Sequence, residues 1–121
     1  MIIFVLFWAP SCMQTYNSNT GDEGLTGNCA PASKPNFKAA YTVIKKNCIN
    51  CHTGYHNSYA LNCTEKQWTD QGLVTAGDNM SSSIITILKN FSGAGTMPKS
   101  SPALSDDDYT ALKDWIDGIT P

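Results

Sequence analysis

The sequence predicts an all-α domain of about three main helices joined by long loops. Three observations carry that prediction. Apolar residues recur at spacings of three and four in three separate segments. No segment shows the strict alternation of a half-buried strand. The connections are long and rich in Gly, Ser, Thr, Asn and Pro.

The chain opens on MIIFVLFWAPSC, in which Ile2 to Trp8 is an unbroken apolar run. That run is short for a signal-peptide core and far too short to span a bilayer. No charge precedes Asp22, so the usual positive n-region is missing, a departure that an upstream start would explain. A buried N-terminal strand is the competing reading, and the polar stretch that follows argues against it. Residues 1–12 are therefore expected to be an export signal. Its end at Ser11-Cys12 resembles the lipobox of bacterial lipoproteins, with Ala9 and Pro10 as departures. Cys12 is a candidate for lipidation, and simple cleavage is the alternative. Several acyl chains on one residue would meet the rule that stable anchoring takes more than one chain.

Residues 13–35 are poor in apolar side chains and read as a flexible tether. A coil of that length reaches ~25 Å on average. The folded domain is expected over residues 36–121.

Within it, Phe37, Ala40, Tyr41 and Ile44 make one stripe on a helix of about three turns, with Asn36 as the expected cap. Ser82 or Ser83 should begin a second helix, burying Ile84, Ile85, Ile87, Leu88 and Phe91 and ending at Gly93 and Gly95. The third is the clearest. Ser105 is the N-cap, Asp108 the capping-box acid, and Asp106 and Asp107 suit the positive helix end. Tyr109, Leu112, Trp115, Ile116 and Ile119 form its apolar face, and Gly118 and Pro121 stop it. Residues 53–80 show almost no pattern. A loop of that length in a compact domain usually wraps something. Three short helices also offer little core, so a staple, a metal or a cofactor is expected.

Net charge is −2, and all eight basic residues are lysines. Without arginine and without a basic excess, no nucleic-acid partner is expected. Five cysteines point to an oxidising compartment, a metal or a covalent cofactor.

The segment KKNCINCHTGYH concentrates this chemistry. Cys48-Ile49-Asn50-Cys51-His52 has the spacing of a c-type haem attachment site. Two thiols on one turn can each add across a vinyl group of one haem, and the adjacent imidazole can reach the iron. A redox dithiol would want a βαβ context, which is absent. A zinc finger needs about twelve residues between the second Cys and the first His, and here the gap is zero. One covalent haem c, held by Cys48 and Cys51 with His52 as an axial ligand, also supplies the missing core.

The sixth iron position has several candidates: His56, Met80, Met97, a lysine, or none. His56 lies four residues after His52, on the same side of a continuing helix. Met80 lies among polar residues. Met97 follows Gly93 and Gly95 and precedes Pro98, which stiffens the loop. Spacing alone leaves Met97 open between a ligand and a loop residue packed on the core.

These parts together resemble a class I cytochrome c, in the compact monohaem form found in bacteria. The resemblance covers about 85 residues. It runs from the first helix through CxxCH and the long loop to Met97-Pro98 and a C-terminal helix with Leu112 and Trp115. Ala40 and Ile44 match the places where that family's first helix crosses its last. The resemblance implies the cytochrome c fold, wrapped around one covalent haem, with His52 and Met97 as axial ligands. One departure stands out: no Gly-Pro follows CxxCH, so the acceptor that orients His52 is not evident. Trp68 is a candidate for packing on the haem or bonding a propionate.

With Cys12 lipidated and Cys48 and Cys51 on haem, Cys29 and Cys63 remain as a candidate disulfide. Such a bond would stabilise by ~2–4 kcal/mol. If Cys12 is not lipidated, the pairing stays open.

The function implied is one-electron transfer at an exposed haem edge by a carrier that is not itself an enzyme. Thioether ligation favours Fe(II). The expected setting is the bacterial periplasm or cell envelope, with redox proteins as partners and a possible membrane attachment through Cys12. Lys34, Lys38, Lys45 and Lys46 near the attachment site would suit an acidic partner, although ordinary solvated faces are the favoured explanation. Three other functions compete: a haem-based sensor or gas binder, a relay subunit of a larger oxidoreductase, and a peroxidase-like enzyme using His56 or Glu65.

Overall fold

The computed structural model describes residues 34–53 and 56–121. The expected export signal, the expected tether up to residue 33, Cys12 and Cys29 lie outside the described residues. Four α-helices are present among the described residues, and no strand is. They are α1 (Pro35–Asn47), α2 (Glu65–Asp70), α3 (Ser83–Thr86) and α4 (Asp106–Asp117), with a 3₁₀ turn at Tyr59–Leu61. The all-α expectation holds, with one helix more than the three expected.

Helix α1 starts earlier than expected. Pro35 occupies its first turn and Lys34 is the N-cap. Proline is preorganised there because its missing N–H has no helical partner to lose. Asn36 is thus inside the helix, and its amide reaches across to the Asp114 carbonyl at 3.5 Å. Phe37, Ala40, Tyr41, Val43 and Ile44 are buried as one stripe. Lys45 and Lys46 sit in the last turn, where positive charge suits the helix dipole.

The wrapped loop is less shapeless than its sequence. Thr64 caps α2 through a complete capping box with Gln67. The Thr64 hydroxyl accepts from the Gln67 N–H at 3.3 Å, and the Gln67 side chain accepts from the Thr64 N–H at 3.0 Å. This short helix buries Trp68 completely.

The second expected helix is cut to the single turn of α3. Its continuation loses to a competing partner. The Ile87 carbonyl accepts from Thr96 and Met97, and Lys89 N–H donates to the Met97 carbonyl at 2.7 Å. Backbone groups that would extend the helix are spent on the returning loop. Ile87 consequently faces solvent at 46% exposure, while Ile84, Ile85 and Leu88 are buried as expected. Ser82 stands at the N-cap position, but its hydroxyl accepts from Thr75 N–H and donates to the Asp78 carbonyl instead of capping.

Helix α4 follows the expected pattern with one exception. Ser105 accepts from Asp108 N–H at 3.2 Å. The Asp108 carboxylate does not close a capping box; it pairs with Lys46 at 2.9 Å. Leu112, Trp115, Ile116 and Ile119 are buried.

Helices α1 and α4 form the main packing pair. Phe37 lies against Trp115 with ring centroids 5.1 Å apart, and Trp68 meets Trp115 edge-on at 5.7 Å. Asn79 grips the Asp117 carboxylate at 2.7 and 2.8 Å, closing the loop before α3 onto the end of α4. The result is a helical frame with CxxCH at the end of α1 and the Met97 loop running beside Leu88.

Candidate functional site

The attachment motif begins where α1 stops. Cys48 is the C-cap of the helix, and its N–H donates to Ile44 at 2.8 Å. Its carbonyl then accepts from both Cys51 (3.2 Å) and His52 (3.0 Å), folding the five residues into one turn. Ile49 is buried at 3% exposure and anchors that turn in the core. Neither Cys48 nor Cys51 is in a disulfide, and both are half-buried. Burial, and then the charge of Cys51, push the Cys48 thiol up to about 12. An isolated Cys48 is therefore a poor nucleophile at neutral pH.

His52 is held on two sides. Its Nδ1 lies 3.0 Å from the Asn57 Oδ1, and Tyr59 stacks on its face at 4.2 Å with 28° between the planes. Burial lowers its pKa, the Asn57 bond opposes that, and His56 lowers it further. The net effect keeps the ring neutral at pH 7, the form that ligates a metal. His56 is exposed, its ring 5.9 Å from that of His52. Tyr59 is itself pushed up by burial, then by Cys48 and Cys51.

Met97 arrives on a clamped loop. Its N–H and that of Thr96 donate to the Ile87 carbonyl at 2.9 and 2.8 Å. The Lys89 ammonium bonds the Ser101 carbonyl, and Asn90 donates to the Leu104 carbonyl at 2.9 Å. Gly95 permits this approach, since a β-carbon there would collide with the Leu88 carbonyl. Met97 is half-buried and packs on the core, whereas Met80 is 59% exposed.

The donor set suits a covalently attached haem. Two thiols outside any disulfide share one turn, a neutral imidazole follows them, and a partly buried thioether sits on a pinned loop. Among the described residues, no three His, Cys, Asp or Glu side chains converge on a site for a bare metal ion.

Other residues singled out by the sequence have different surroundings. Cys63 is disulfide-bonded. The Trp68 indole N–H, its one donor, goes to the Asn62 carbonyl at 3.2 Å and is not free for a propionate. The Glu65 carboxylate accepts from Trp115 at 3.2 Å and pairs with Lys34 at 2.7 Å. With Lys46 on Asp108, at least two of the four lysines near the motif already have acidic partners.

Two site residues escaped the sequence reading. Asn57 was signalled by Asn-Ser-Tyr, a local turn in which an Asn side chain bonds backbone two residues on. Thr64 was signalled by Thr-x-x-Gln, the capping-box pattern.

Residues 35–116 match the family described as "Cytochrome C oxidase, cbb3-type, subunit III". No curated protein and no solved structure matches the chain. No helix among the described residues is long and apolar enough to cross a membrane.

Proposed function

Because the chain belongs to the family of cbb3-type cytochrome c oxidase subunit III, a monohaem c-type cytochrome domain with one covalent haem c, we propose that it is a single-electron carrier with His52 and Met97 as axial ligands. Cys48 and Cys51 are the covalent tethers. A bound haem supplies a one-electron iron couple there.

The observation that carries this reading is the separate restraint on each of the two ligands. His52 is held by Asn57 and Tyr59 after the CxxCH turn. Met97 is held from a distant segment by backbone bonds to Ile87 and Lys89. Ligands fixed by the fold in this way need little rearrangement when the oxidation state changes. That suits electron transfer and opposes substrate chemistry, which needs an open position. Glu65, the acid a peroxidase-like reaction would recruit, is already committed to Trp115 and Lys34.

The remaining assignments follow the same reading. Export delivers the chain to the cell envelope, with Cys12 as its candidate lipid anchor. With Cys12 taken as the lipid anchor and Cys48 and Cys51 outside any disulfide, Cys29 is the partner this reading assigns to Cys63. The family description also favours a second reading, in which the haem relays electrons within a larger oxidase assembly.

The optical spectrum of the oxidised protein tests the ligation. A Met-to-Fe(III) charge-transfer band in the far red, present in the native protein and lost in Met97→Ala, is the expected result. A high-spin native spectrum, or prompt CO binding by the native reduced protein, would overturn it in favour of a sensor or gas binder.

A further inference from the structure

The His52 Nδ1 atom has its side-chain partner in this chain's own wrapped loop. No proline lies between His52 and Met97, so no proline carbonyl follows the motif to orient the ring. Asn57 stands in that place, 3.0 Å from Nδ1.

The identity of the bonding atom fixes the direction of the bond. The same Asn57 oxygen accepts from the Tyr59 backbone N–H at 3.4 Å, closing an Asx turn. An atom that accepts from a backbone N–H is the amide oxygen, not the nitrogen. It can only accept from His52, so Nδ1 carries the proton and Nε2 carries the lone pair. The segment that presents Asn57 is fixed to the histidine twice more. Tyr59 stacks on the ring, and Ala60 N–H donates to the His52 carbonyl at 3.2 Å. The 3₁₀ turn Tyr59–Leu61 follows directly and buries Ala60, which holds the segment against the core.

We propose that Asn57 is the positioning residue of the proximal histidine: it selects the tautomer, sets the ring plane and tunes the electron density at Nε2. This rests on the reading of His52 as the iron ligand. An acceptor on the distal ring nitrogen raises ligand basicity, and a stronger acceptor raises it more. More donation to the iron stabilises Fe(III) and lowers the reduction potential.

The test uses the haem-loaded protein. NMR of the reduced native protein should show a His52 Nδ1–H signal in slow exchange with solvent. That signal should be lost in Asn57→Ala, whose midpoint potential should shift upward. Asn57→Asp should keep the signal and shift the potential downward. Ser58→Asp adds the same charge one residue away without an acceptor on the ring. Its downward shift should be clearly smaller. Should Asn57→Ala fail to mature, the native signal and the two aspartate variants still decide.

A native Nδ1–H in fast exchange, or equal shifts in the two aspartate variants, would overturn the role of Asn57 while leaving His52 as a ligand. His52 ring signals lacking the large shifts of a haem-bound imidazole would instead overturn the reading beneath it. The two failures are therefore distinguishable.

Discussion

Gly95 lies so close to the Leu88 carbonyl that no β-carbon fits between them. This contact lets the chain double back after α3 and place Thr96 and Met97 on the Ile87 carbonyl. The glycine is thus a requirement of the ligand loop's path.

Gly95→Ala must push the loop away from Leu88. Overpacking of this kind costs ~1–3 kcal/mol. The expected outcome is lower stability to denaturant together with a weakened far-red band, because Met97 moves with the loop. Gly93 is the control. It has φ +71 and open space around it. Gly93→Ala should cost ~1–2 kcal/mol of backbone strain and leave the band intact.

The Lys46–Asp108 pair ties the end of α1 to the start of α4. The Lys46 hydrogen bond is the main reason that the Asp108 carboxyl sits below its ordinary 3.8, and the Ser105 and Asn47 bonds assist. A depressed carboxylate contributes stability that is present above pH 3.8 and lost as pH falls through its folded value. Lys46→Ala should therefore destabilise the haem-loaded protein at neutral pH by less than about 1 kcal/mol, as befits a surface pair. The difference between the two proteins should shrink in high salt and vanish in acid. Urea titrations at several pH values would show this, and a difference that grew in acid would contradict it.

Thr64 holds the first turn of α2 and, beneath it, Trp68. Thr64→Ala removes the acceptor of the Gln67 N–H and should cost ~1 kcal/mol. Thr64→Ser keeps the oxygen and should restore most of that loss. Denaturant midpoints of the haem-loaded protein are the measurement. Equal loss in both variants would show that the methyl group, not the cap, matters.

Legibility varied with the range of the interactions. Ser105 and the apolar face of α4 were readable because a cap and a helical stripe are both local. Phe37, Ala40, Tyr41 and Ile44 were readable for the same reason. The second helix was overextended because its apolar residues continue to Phe91, while the carbonyl that ends it is claimed by residues nine and ten positions further on. Asp108 was read as a capping acid, and a lysine 62 residues earlier claims its carboxylate instead. Asn57 and Thr64 carried local signals, but they lay in a stretch with no apolar period to draw attention to them.

The sequence by itself determined the helical class and the haem attachment motif, because both depend on spacing within a few residues. It also ranked Met97 above Met80 on the strength of its flanking glycines and proline. Only the tertiary structure decided how each is held. Asn57 reaches His52 because its Asx turn onto Tyr59 and the Ala60 bond to the His52 carbonyl fold that segment against the motif. Met97 is pinned because Gly95 lets two backbones touch. Those are contacts between segments, and a one-dimensional pattern cannot say which donor will meet which acceptor.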